Sequence, residues 1–122
     1  MAELGRRIRW WQWLALLGKR WRVVIRVDEG DEVPPHLPFR GAVLVGPSRE
    51  PSWIAFDCPC GKGHRVMLNL SPHRLPRWQV IKSSPLSLAP SVDSLAGGRR
   101  CHYWVHKGRV EWVPASGSAT WR

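Results

Sequence analysis

Near the middle of the chain, Trp53-Ile54-Ala55-Phe56 runs into Asp57-Cys58-Pro59-Cys60-Gly61-Lys62-Gly63-His64 and out again into Arg65-Val66-Met67-Leu68-Asn69-Leu70. The first flank is aromatic and apolar and the second alternates in polarity, so both read as strands. The segment between them holds a proline and two glycines and cannot continue either strand. Strand, knuckle and strand together make a hairpin, with two cysteines at its tip. A chain built around such a unit is committed to β structure there.

The rest of the chain extends the same pattern. Trp21 to Val27 is dense in β-branched residues and reads as a strand, followed by an acidic turn from Asp28 to Glu32. Val33-Pro34-Pro35-His36-Leu37-Pro38 is an extended connection, because proline suits neither helix interior nor central strand. Ala42 to Val45 is a further short strand. Residues 71–98 are rich in proline and serine, with Trp78 to Ile81 the one strand expected there. Cys101 to Val113 reads as a β-hairpin turning at Lys107-Gly108. At the other end, Leu4, Ile8, Trp11, Leu14 and Leu17 recur every three or four residues, the helical period, before Gly18. The expected fold is mostly β (α+β): a small single domain of antiparallel strands and hairpins with a metal-binding CxC knuckle, plus one N-terminal amphipathic helix. Its divisions are a basic Trp-rich helix over 1–20, a β-rich zinc-binding domain over 21–115 and a C-terminal tail over 116–122.

Composition narrows the function. At 122 residues the chain is one domain's worth of protein, which excludes a multidomain enzyme. Nineteen Lys+Arg against nine Asp+Glu leave a net charge of +10, which favours an acidic partner. Arg6, Arg7, Arg9, Lys19, Arg20, Arg22 and Arg26 lie among Trp10, Trp11, Trp13 and Trp21, a mixture suited to nucleic acid, to a membrane surface or to a protein interface. The apolar run from Trp10 to Leu17 falls far short of the ~20 residues that span a bilayer. Three cysteines are an odd count for a disulfide scaffold, so a reducing cytoplasm is expected.

The groups able to do chemistry are few. Cys58 and Cys60 present two soft thiolates from a tight turn, half of a zinc site. The other half must come from His64, Cys101 or His102. Cys101 and His102 are adjacent on a strand and point to opposite faces, so one ligates more readily than both. Ser87, Ser91 and Ser94 are the serines available to a His-assisted mechanism, with His102 as base and Asp57 or Asp93 as orienter. His36, His73 and His106 have no paired ligand spacing and read as surface histidines.

Taken in order, Phe56-x-Cys58-Pro59-Cys60-Gly61, Leu68-Asn69-Leu70, Arg77-Trp78, Leu88-Ala89-Pro90-Ser91-Val92 and His102-Tyr103-Trp104-Val105-x-x-Gly108-Arg109-Val110-Glu111-Trp112 resemble a small bacterial family with the pattern CPCGCG, LNL, PxW, TLSPSI, CxSHFWI and GRIEW. The resemblance spans about residues 22–113. It implies a zinc-binding domain encoded beside a ubiquitin-like protein and its conjugation enzymes in antiphage systems, and a peptidase that matures or removes that protein. By the same resemblance Cys58 and Cys60 match the first two family cysteines, His102 the family histidine and Ser91 the second serine of TLSPSI. Lys62, Arg99 and Val113 stand where the pattern carries cysteine, and Cys101 sits two positions after the one that Arg99 takes.

Three functions follow as expectations. The first is a zinc-dependent hydrolase in which Cys58, Cys60 and either Cys101 or His102 hold Zn²⁺ and a water takes the open position. In its variant the zinc is structural, with His64 among the ligands, and Ser91 and His102 act as nucleophile and base. Four firm protein ligands would select the variant, because a closed tetrahedron has no room for a reacting water. The second is a zinc-stabilised adaptor of the same pathway. The third, less favoured, is a basic nucleic-acid-binding module with strongly salt-dependent affinity.

Overall fold

The computed structural model describes residues 20–96 and 99–114. Among these residues nine strands form three small sheets: β1 (Arg22–Val27), β2 (Gly41–Val45), β3 (Trp53–Asp57), β4 (Arg65–Asn69), β5 (Gln79–Ser83), β6 (Leu86–Ala89), β7 (Val92–Ala96), β8 (Arg99–His106) and β9 (Arg109–Trp112). The first sheet has the order β1-β2-β3-β4, the second is β5-β6 and the third β7-β8-β9. β2, central in its sheet, is buried along its whole length, which is why Gly-Ala-Val-Leu-Val is continuously apolar. On β8 the alternation is strict: Cys101, Tyr103 and Val105 are buried, whereas Trp104 and His106 are exposed and His102 is half-buried.

One core serves all three sheets. Trp21 and Phe56 meet edge to face, with centroids 5.6 Å apart, alongside Leu44, Ile54, Leu68, Leu86, Leu88, Val92, Tyr103 and Val105. Three backbone segments close a ring at its edge. Trp21 donates to the Gly108 carbonyl at 2.8 Å, Gly108 to Leu86 at 2.7 Å and Leu86 to Trp21 at 2.8 Å. The approach to β1, the strand β6 and the β8–β9 turn thus satisfy one another's peptide groups. Lys107 and Gly108 both have positive φ, 52° and 79°, as a two-residue turn matched to strand twist requires.

Three expectations need correction. Among the described residues there is no α-helix, only a single 3-10 turn at Gly30–Glu32 held by the Glu32 carboxylate, so what the structure describes is β rather than α+β. The helix expected over 4–17 lies outside the described residues, as does the 116–122 tail. The sheets are also not wholly antiparallel, because β1 and β2 pair in parallel. A parallel pair needs a crossover of about a dozen residues. The acidic turn and the proline-rich segment supply it. The 71–98 stretch is more regular than its composition suggested, containing β6 and β7 as well as β5. In β6 the interrupting Ser87 is buried because its Oγ accepts the Lys107 amide at 2.8 Å.

Candidate functional site

The knuckle joins β3 to β4 as a tight turn. Cys58 donates its amide to the His64 carbonyl at 2.9 Å and Gly61 donates to Cys58 at 3.2 Å. Gly61 and Gly63 carry φ of 76° and 87°, a conformation that side chains resist. This folding aims Cys58, Cys60 and His64 at the inner face of β8, where Cys101 is waiting. The ligand atoms of Cys58, Cys60, His64 and Cys101 all lie within 4.8 Å of one another.

The donor set fits a metal ion on its own geometry. With metal–sulfur bonds of about 2.3 Å, the edges of a tetrahedron are about 3.8 Å. Cys60 Sγ stands 3.7 Å from His64 Nδ1. The Lys62 amide points at Cys60 Sγ from 3.4 Å, the support a thiolate ligand takes from a neighbouring backbone. His64 Nε2 is buried with no protein partner. Burial, with the Cys101 thiol adding to it, pushes the Cys58 thiol up to about 12. A cation offsets that penalty, and the four residues could hold one.

A second arrangement lies on the other side of the same sheet. Ser91 Oγ is 2.9 Å from His102 Nε2. Val92 pairs with Tyr103 and Asp93 with His102, so Ser91, one residue upstream, is the diagonal neighbour of His102 on the outer face. The Ser91 carbonyl accepts the Trp78 indole N–H at 3.1 Å, and Trp78 is itself tied to β4 by its amide, 2.8 Å from the Asn69 carbonyl. Asn69 organises the approach to Trp78. Its Nδ2 donates to the carbonyls of Ser71, Arg74 and Pro76 and its Oδ1 accepts the Ser71 amide, all between 2.8 and 3.1 Å.

Asp93 stands directly across from His102, but both of its oxygens accept from Arg100, at 2.8 and 2.6 Å. Hydrogen bonding to Arg100 holds the Asp93 carboxyl below the usual range, and the charge of His102 acts in the same direction. Asp57, the other expected orienter, is paired with Arg65 at 2.8 Å at the end of β3. Ser94 pairs in register with Cys101, and Ser87 holds the Lys107 amide.

A cavity of about 1010 Å³ lies apart from the Ser91–His102 pair, lined by Arg20, Arg40, Arg109, Phe39 and Trp112 and reaching Cys58 and Pro59 of the knuckle. Phe39 and Trp112 are exposed at 70% and 50%, so its rim is both cationic and aromatic. Among the described residues, no serine or histidine lines it.

The family model described as the bacterial ubiquitination-like system serine protease, BubE, matches residues 29–113. The chain belongs to the BubE family. No match was found among curated proteins or solved structures. Both the four-residue Cys/His cluster and the Ser91–His102 pair fall inside the BubE region. The family's description is of a protease in a ubiquitination-like system, which agrees with the resemblance read from the motifs. Two residues of this BubE chain carried no role in the sequence reading and acquire one here, Asn69 and Trp78. An asparagine between two leucines in an alternating strand was the available signal for Asn69. For Trp78 the signal was its place in the Arg77-Trp78 motif, although its partner, a main-chain carbonyl 13 residues away, is not encoded locally. No described helix is long and apolar enough to cross a membrane.

Proposed function

We propose that this chain is a cytoplasmic serine peptidase that processes a bacterial ubiquitin-like protein or removes it from conjugates, in a pathway of antiviral defence, with Ser91 as nucleophile and His102 as general base. The observation that carries this reading is the 2.9 Å contact between Ser91 Oγ and His102 Nε2, half-buried on the outer sheet face of a BubE-family chain. His102 Nε2 accepts the Ser91 proton as Oγ attacks the scissile carbonyl, then returns it to the departing group. The resulting Ser91 ester is hydrolysed by a water that His102 deprotonates in turn. The Asp93 carboxylate, fixed by Arg100 across from His102, favours the imidazolium that forms between these steps.

Zinc suits the Cys₃His set, and when bound it supplies four bonds that cross-link the knuckle to β8. Four protein donors leave no open position for a reacting water, which favours a structural metal over the zinc-hydrolase alternative, as does the direction of His102, away from the cluster. A second reading, a zinc-stabilised adaptor for an acidic partner, draws support from the Arg-lined cavity. The deciding experiment is cleavage of a reporter fused to the C-terminus of a bacterial ubiquitin-like protein. Wild type should release the reporter and be labelled by a fluorophosphonate at Ser91. Retention of full cleavage by Ser91→Ala would overturn the peptidase assignment to this residue.

A further inference from the structure

Trp104 is 42% exposed although it belongs to a core-forming strand. Alternation places it on the face of His102, two residues on, and continuing the register in which Val92 pairs with Tyr103 sets it opposite Ser91. Directly opposed residues in an antiparallel pair have Cβ atoms about 4.5–5.5 Å apart. A carbonyl under attack must lie about 3 Å from Ser91 Oγ, so a substrate that reaches this serine also meets the indole.

The position of His102 decides which part of the substrate that is. His102 must reach the leaving group to protonate it, so the departing side of the scissile bond lies over His102. Trp104 is displaced from His102 along β8 and stands across from Ser91, the residue that takes the acyl portion. We propose that Trp104 forms the subsite for the residue that donates the scissile carbonyl, and that this subsite prefers an apolar residue to an acidic one. The inference rests on Ser91 being the nucleophile. On β9 Trp104 pairs directly with Glu111, so an acidic side chain entering this subsite meets a like charge. An indole face gains from apolar contact and offers nothing to a carboxylate.

The test uses the full chain with p-nitrophenyl esters of acetyl-leucine, acetyl-glycine and acetyl-aspartate, beside a fluorophosphonate probe. Wild type should hydrolyse the leucine ester at least tenfold faster than the aspartate ester in kcat/KM. Trp104→Ala should bring the leucine ester down to the glycine level, about tenfold, while its metal content matches wild type. Trp104→Phe should restore most of the leucine preference. An equal fall on the leucine and glycine esters, or no change on either, overturns the subsite. Absence of labelling at Ser91 in the wild type instead overturns the nucleophile assignment, and the subsite with it.

Discussion

Cys101 and His102 are consecutive on β8 and serve opposite faces of one sheet: the thiol of the first closes the Cys58–Cys60–His64 cluster, while the imidazole of the second meets Ser91. A single peptide bond therefore joins the metal-ligand set to the reactive pair. The position of His102 along and across the sheet depends on what holds β8 from beneath.

Cys101→Ser should accordingly affect both faces. The variant should lose bound zinc, measured by mass spectrometry of the purified protein. Its fluorophosphonate labelling at Ser91 should also slow, although Cys101 is buried on the inner face. Chelation of wild type with a high-affinity chelator should reproduce both changes and lower the melting temperature. Unaltered labelling after complete metal loss would show that the two faces are independent.

Ser91→Ala and His102→Gln should each lower cleavage of a ubiquitin-like fusion by roughly 10³-fold or more, since the two groups act as a unit. Neither contributes a ligand to the cluster, so zinc content should stay at the wild-type value. Combining the two substitutions should cost little beyond either alone. Additive losses would argue against a shared proton transfer.

Asn69→Ala leaves the carbonyls of Ser71, Arg74 and Pro76 without their donor and the Ser71 amide without its acceptor, at a site only 6% exposed. A loss of about 2–4 kcal/mol in urea unfolding is expected. Because Asn69 also precedes the Trp78 anchor of Ser91, amides around residue 78 should lose hydrogen-exchange protection first.

A methyl group on Gly108 would lie 2.8 Å from Arg20 Cβ and 2.9 Å from Pro85 Cβ, and φ there is +79°. Gly108→Ala should therefore destabilise by at least about 2 kcal/mol, through clash and backbone strain together. Gly61, also at positive φ but with open space around it, should tolerate alanine better. Thermal unfolding of the two variants side by side separates crowding from strain.

Acid should weaken the outer face by a defined route. The Asp93 carboxyl is held below the ordinary aspartate value of 3.8 in the folded chain, so its pairing with Arg100 stabilises fully above pH 3.8 and is lost as pH falls through the lowered native value. Asp93→Asn should flatten the acid limb of the stability curve below pH 3.8 and leave neutral stability little changed, because the pair is exposed. An unchanged acid limb would remove this pair from the account.

The parts of the fold that were legible in advance are those specified by local chemistry. The knuckle follows from its prolyl and glycyl residues, the Lys107–Gly108 turn from its glycine, and the opposition of Cys101 and His102 from the period of a strand. What was hidden depends on distant partners. The parallel direction of β1 and β2 is set by where the crossover returns, which no local pattern encodes. β6 was obscured by Ser87, polar in sequence but satisfied by the Lys107 amide. At the cluster, Cys58 and Cys60 could be read as a pair, but the choice among His64, Cys101 and His102 required knowing which face of β8 the knuckle meets.

The ring of peptide bonds between Trp21, Leu86 and Gly108 also sets a schedule. Its first and last members are separated by almost the whole described chain, so it cannot close until synthesis has passed Gly108 and the final hairpin has left the ribosome. Contacts of such long range raise the entropic barrier to folding. The chain should acquire its core late and all at once, with the cluster cysteines open to solvent until that moment.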